Sequence, residues 1–209
     1  MTTVNIKILW PHEAIRARPG MYLEGASDPC SQAEVLLKLT VESMAITGNG
    51  AERLPVVLRL WPGPAFEMTC PWQCSSSEFL GRGRSTLSSI EWRMLNLFAG
   101  GPRTWEFLDG HGILLSALSS RVLLQVSNGE RCCESAYSRG GLISPLQDSR
   151  TGPSNGSRVV FELDRLFFDD AARAHVHSDE VLDALAARFS WLTIAQRAAD
   201  VRAGDPWSP

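Results

Sequence analysis

Few residues of this 209-residue chain combine a reactive type with a useful spacing. Cys70 and Cys74 form a C-x3-C pair within zinc-ligand spacing, and Cys132-Cys133, His175 and His177 are further donors. No second pair stands at a matching spacing. Neighbours on a strand face opposite sides, so Cys132 and Cys133 cannot both turn to one ion. No metal site is expected. Cys30 with a serine and a histidine would make a nucleophile and base, but nothing local marks such a pair. Asp109-Gly110-His111-Gly112 contains the G-x-G whose backbone amides can cradle a phosphate. Alone it is most often a turn, and Asp109 adds negative charge where phosphates would sit. Glu42 reads as a solvated helix carboxylate. Arg16 and Arg18 read as partners in structural ion pairs, and Arg82 and Arg84 as part of a solvated loop. Trp61, Trp72, Trp92, Trp105 and Trp191 read as core or pocket filling rather than a stacking platform.

The bulk numbers narrow the classes. The length suits one domain with a real core, expected over residues 1–203, with a disordered tail at 204–209. No apolar run approaches the roughly 20 residues of a membrane span, and the N-terminus lacks a basic region followed by an apolar one. Five cysteines is an odd number in a chain that is not small, which favours reduced thiols and a cytoplasmic location. A net charge of −3 argues against a broad electrostatic grip on nucleic acid.

The elements follow from period and punctuation. Residues 4–9 alternate weakly, as a short strand or arm. Ser31-Gln32-Ala33-Glu34 has the form of a capping box, predicting a helix over 31–46 with Val35, Leu39, Ser43 and Ile46 on one face. Residues 56–61 and 66–70 read as strands around Pro62-Gly63-Pro64, and 71–83 as loop. Residues 88–99 are amphipathic and stop at Gly100-Gly101-Pro102, and 113–118 is a short buried helix. Asn128-Gly129 marks a hairpin between 121–127 and 130–137. Residues 144–155 read as loop, 158–163 as a strand, and 178–199 as one long helix capped by Ser178, with Leu192 and Ile194 on its buried face. Hairpins with helices gathered between them predict an α+β fold, with helices on one face of a mixed sheet.

The stretch around which these elements are organised is His12–Gly25, HEAIRARPGMYLEG. It reads as the end of a helix, a Pro-Gly turn, and an extended piece at Met21-Tyr22-Leu23. E-A-I-R-x-R-P-G-M-Y resembles the start of the ATPase domain of the gyrase B subunit and its type II topoisomerase relatives. Further segments resemble that family in order: EWRMLNLFAGG at 91–101, Ser116-Ala117-Leu118-Ser119, Tyr137 with Gly140, Pro145-Leu146, Gly156-Ser157 before Val159-Val160-Phe161, and residues 184–192. The resemblance spans nearly the whole chain. It implies the GHKL, or Bergerat, fold: a two-layer sandwich with nucleotide held between helices and sheet.

The resemblance also implies site positions, and there the chain departs. The family places a general-base glutamate four residues before a magnesium-binding asparagine, on one helical face. In register these positions fall on Leu39 and Ser43, and Glu42 could serve as base only if the register slips. The family's adenine-binding D-x-G-x-G corresponds to 69–74, which holds neither a carboxylate nor a glycine; Trp72 and Pro71 would crowd that space. Gly110, His111 and Gly112 are what remains of a glycine-rich lid, and Ser157 stands where the family has threonine. The residual nucleotide-binding set is therefore Ser43, Gly110, His111, Gly112 and Ser157. The family's following domain supplies a lysine to the γ-phosphate, and the chain ends before it. Loss of a general base alone costs about 100- to 10,000-fold in rate. The family's exchanged N-terminal arm carries a tyrosine, and the eleven residues here carry none.

The expected function is a non-catalytic protein-binding or regulatory module built on this fold: a regulator or decoy of a topoisomerase, or an immunity-type protein. No cofactor and no direct nucleic-acid or membrane contact are expected. The alternative is an ATPase using ATP and magnesium with divergent site residues. A cavity beneath Gly110–Gly112 with Glu42 facing it would favour that alternative; Leu39 or Trp72 filling the space would favour the binding module.

Overall fold

The structure is a computed structural model that describes residues 9–46, 52–61, 63, 65–72, 87–96, 108, 110–195 and 207. The elements expected at 4–8, 73–83 and 97–101 lie outside these residues, as do Cys74, Arg82, Arg84, Trp105 and Asp109.

Among the described residues, seven strands form one mixed sheet: β1 Val56–Leu60, β2 Ala65–Cys70, β3 Ser119–Ser127, β4 Cys132–Ser138, β5 Gly141–Asp148, β6 Gly156–Leu163 and β7 Leu192–Ala195. Their order is β5-β4-β3-β6-β2-β1-β7, antiparallel throughout except where β7 runs parallel to β1. The helices are α1 Pro11–Ala17, α2 Pro29–Met44, α3 Ser89–Leu95, α4 Gly112–Leu118, α5 Asp170–His175 and α6 Asp179–Arg188. Alternate strand residues (Val56 and Leu58, Phe66 and Met68, Val122 and Leu124, Val159 and Phe161) join Leu36, Leu37, Val41, Ile113 and Leu185 of the helices in one buried cluster. The expected α+β architecture with one helical layer is therefore what the chain builds. Cys133 is buried in the cluster while Cys132 is half-buried, as alternation along a strand requires.

Several local expectations are corrected. Met21-Tyr22-Leu23 is not extended: Pro19–Met21 is a 3-10 turn, and Tyr22 and Leu23 donate back to the Pro19 carbonyl. The cap of α2 is Asp28, whose carboxylate accepts the Ser31 amide at 3.0 Å, with Pro29 at the first helical position. Those hydrogen bonds from Ser31 also hold the Asp28 carboxyl below its usual range. The 144–155 loop begins as β5. Proline in a strand signals a break, but Pro145 lies on an edge strand, where a missing amide costs no ladder bond. The long helix at 178–199 stops at Arg188, and Leu192 and Ile194 belong to β7, paired with Val56 and Leu58. An edge of β1 available for pairing outweighed the helical period. Helix α5, capped by Asp169 onto Ala172 at 2.8 Å, was not anticipated.

The opening stretch is held in place through Arg16. Its Nη1 donates to the Ala117 carbonyl at 2.7 Å and to Asp164 Oδ2 at 3.0 Å, while its guanidinium lies over the Phe167 ring. Arg139 Nε donates to the same Asp164 oxygen at 3.1 Å. Asp164 is 1% exposed, so its charge depends on these partners. Arg18, by contrast, is exposed. The Arg16 side chain is 19% exposed and that of Arg139 is 56% exposed. Arg16→Met should therefore cost about 2–4 kcal/mol in denaturant unfolding, and Arg139→Met about 1 kcal/mol or less. Equal costs would show that Asp164 does not discriminate between its two partners.

Candidate functional site

The positions implied by the resemblance converge at one end of the sheet, where the C-terminal half of α2 meets the end of β2 and the start of β6. Leu39 is 8% exposed and part of the core cluster. Ser43 is fully buried, and its hydroxyl donates to the Thr40 carbonyl at 3.0 Å. Its own carbonyl accepts the Leu108 amide at 3.2 Å, so the turn leading into α4 is docked directly on α2. Leu108 is 1% exposed and holds a left-handed backbone, φ 58°, which a side chain rarely adopts. Gly110 also has positive φ, and the His111 and Gly112 amides donate back to Leu108. Gly112 is buried; a Cβ there would stand 3.0 Å from the Arg93 carbonyl oxygen and from Met94 Sδ. Its smallness serves helix packing against α3.

On the sheet side, Cys70 faces α2 and its thiol donates to the Met44 carbonyl at 3.2 Å. Ser157, opposite Cys70 in the ladder, is fully buried with its hydroxyl 3.5 Å from the Cys70 carbonyl. Trp72 packs against the core cluster. Glu42 lies elsewhere: its carboxylate stands 3.9 Å from the Arg188 guanidinium, at the C-terminal end of α6.

Of the predicted positions, Ser43, Gly112 and Ser157 are thus buried in one region with Leu39 and Cys70, while Gly110 and His111 are half-buried in the turn above α4. Glu42 is directed to α6. No group of three or more His, Cys, Asp or Glu suited to a metal occurs among the described residues. His175 Nε2 lies 3.3 Å from Glu34, and the His177 ring packs on Phe66. Nor do the described residues include a helix long and apolar enough to cross a membrane. Missed from the sequence was a cavity of about 270 Å³ lined by Gly63, Arg165, Arg173, Ala174 and His177. The signal lay in the run of basic residues around the Asp169 cap, between segments that had been assigned elements.

Burial pushes the Cys70 thiol up from its ordinary 9.0 to about 11. Below pH 9 both folded and unfolded chains keep this proton. Between pH 9 and 11 only the unfolded chain releases it, so the contribution to stability is lost as pH rises through that window. Cys70→Ala should flatten part of the stability loss between pH 9 and 11, and Cys70 in the native protein should resist a thiol reagent at pH 8. Rapid labelling of Cys70 without unfolding would contradict this geometry.

Comparison with known proteins gives one kind of match. No protein-family model matches the chain, and no curated protein is similar to it in sequence. Among solved structures, the fold is similar to the 43K ATPase domain of Thermus thermophilus gyrase B, determined in complex with an aminocoumarin. The TM-score is 0.59 with 20% sequence identity, over 76% of this chain and 40% of that one. The chain thus spans less than half the length of the gyrase structure it matches. The likeness establishes a GHKL ATPase-like fold.

Proposed function

We propose that this chain is a GHKL-fold module that acts by binding another protein, without turning over ATP: a regulator or decoy of a topoisomerase, or an immunity-type module. Leu39 carries the reading. At the position where the family holds its general base, a leucine contributes to the core, and it can neither accept a proton nor orient a water. The neighbouring groups support it. The Ser43 hydroxyl is engaged by Thr40, the Cys70 thiol by Met44, and the Ser43 carbonyl by Leu108. Glu42 is committed to the α6 side. None of Leu39, Ser43, Cys70 and Ser157 offers a carboxylate for magnesium or for a base, which supports a reading without ATP turnover. Four free thiols among the described residues suit a cytosolic protein.

A protein partner is favoured by what the sheet leaves open. Among the described residues β5 and β7 are the outermost strands, and Ile143 on β5 is 68% exposed. The Leu146 amide of β5 is taken by Glu91 of α3, but an outer strand bearing an exposed apolar side chain remains a template for strand addition or apolar docking.

The purified chain should hydrolyse ATP no faster than a buffer control. Turnover that disappears in Glu42→Gln would overturn the reading, because it would make Glu42 the base. Nucleotide should also leave the oligomeric state unchanged. In sedimentation with and without a non-hydrolysable ATP analogue and magnesium, a monomer that dimerises only with nucleotide would contradict the proposal, since such a shift requires preferential binding to one state.

A further inference from the structure

We propose that the cavity between the β1–β2 turn, the turn after β6 and α5 is a binding site for a small oxyanion of the phosphate monoester class. Gly63, Arg165, Arg173, Ala174 and His177 line it, with a volume of about 270 Å³. That size accepts a phosphate with a small organic group.

Arg173 is the central observation. The residue is 8% exposed, and its Nε and Nη1 are buried with no hydrogen-bond partner among the described residues. Its Nη2 donates to Asp170, whose side chain is 93% exposed. A guanidinium is permanently charged, and burying two of its N–H groups without acceptors is costly. Such a group is accounted for when a ligand supplies the acceptors. A planar fork of donors matches the oxygens of a phosphate.

The surroundings have the same sign. Arg165 has no ion-pair partner among the described residues and is exposed at the cavity. His177 adds an imidazole held against Phe66, with ring centroids 4.6 Å apart. Asp170 is the opposing charge, and its exposure to solvent weakens it. Two arginine guanidiniums exceed what a single carboxylate ligand requires, which favours a doubly charged phosphate. This concentration of positive groups stands out in a chain of net charge −3.

The site is also held rigidly. The turn carrying Arg165 is fixed by Asp164, whose backbone carbonyl accepts the Phe167 and Phe168 amides at 3.0 Å and whose side chain accepts the Leu166 amide at 3.1 Å. Arg173 stands on α5, and the His177 amide closes the turn after it onto Ala174. The cavity adjoins the Ala65/Glu162 end of the β2–β6 ladder, whereas Cys70 and Ser157 form the other end. Five residue steps separate those ends, about 17 Å. The oxyanion site is therefore separate from the positions matched to the family's nucleotide site, and it does not depend on the function proposed above.

The test is titration of the full chain with inorganic phosphate, followed by thermal shift and by NMR of the arginine side-chain N–H groups. Acetate and chloride at matched ionic strength are the controls. A saturable shift with phosphate alone is expected below about 20 mM, weakened about tenfold by Arg165→Ala. Arg165 is exposed and has no ion pair among the described residues, so this variant keeps the test valid if Arg173→Lys folds poorly. Where Arg173→Lys folds, it should lose phosphate binding by at least about tenfold, because an ammonium cannot reproduce the fork. No saturable shift, an equal shift with acetate or chloride, or unchanged affinity in Arg165→Ala would each overturn the proposal.

Discussion

The buried carboxylate of Asp164 is the constraint on which the fold turns. Taken alone it would be an uncompensated charge in the interior, which no domain of this size tolerates cheaply. Its two guanidinium partners come from distant parts of the chain, Arg16 at the end of α1 and Arg139 in the β4–β5 turn. The same cluster fixes the junction of α4 and β3. The Asp164 amide donates to the Leu118 carbonyl, the Arg139 amide to Ser119, and the Gly140 amide to Ser116. Gly140 is restricted twice over: its φ is +83°, and a Cβ would stand 2.2 Å from His12 Cβ. The segments that most resemble the gyrase family, 12–23, 116–119 and Gly140, are therefore neighbours in one scaffold knot. Their spacing in the sequence records packing and charge pairing.

A second constraint acts across the opposite face of the sheet. Register places Arg59 opposite Glu67, and Gln125 opposite both Arg158 and Glu134. The side chains follow: Glu67 accepts from Arg59, Trp61 and Arg158, Arg158 donates to Gln125, and Gln125 donates to Glu134. One polar ladder thus crosses five strands, from β1 to β4. Glu67 is only 5% exposed, so a one-residue slip in β2 would break three hydrogen bonds and turn the carboxylate into the core. The core face and this ladder specify the same register independently, which is the consistency a unique fold needs.

The parts legible in the sequence were those with local causes. The Asn128-Gly129 turn works because Asn128 Oδ1 accepts the Glu130 and Arg131 amides and Gly129 takes φ +87°. The strands 56–60, 65–70 and 156–163 were visible in their alternation. What escaped was decided by distant partners. Pro145 looked like a loop because its tolerance depends on β5 being an edge. Residues 192–195 looked helical because the free side of β1 was not known to be waiting for a parallel strand. At the site, Leu39 was readable as part of the helix face that meets the core. The docking of Leu108 on Ser43 was not, since nothing local marks a left-handed leucine. Of the cavity at Arg165, Arg173 and His177, the basic run is local and readable, whereas its closure by Gly63 of the β1–β2 turn is not.

Buried polar groups must find partners, and the two ends of the β2–β6 ladder differ in how they do so. At the Cys70/Ser157 end, hydroxyl, thiol, amide and carbonyl are turned on one another: Ser43 to Thr40, Cys70 to Met44, Leu108 to Ser43. Each such bond contributes about 0.5–1.5 kcal/mol net, and a ligand entering there would have to replace all of them at once. At the Ala65/Glu162 end the reverse holds, because Arg173 keeps two buried donors without acceptors among the described residues. One end is self-satisfied and the other is not. On physical grounds, unmet buried donors call for acceptors, and among the described residues the arginine end is where Arg173 holds them.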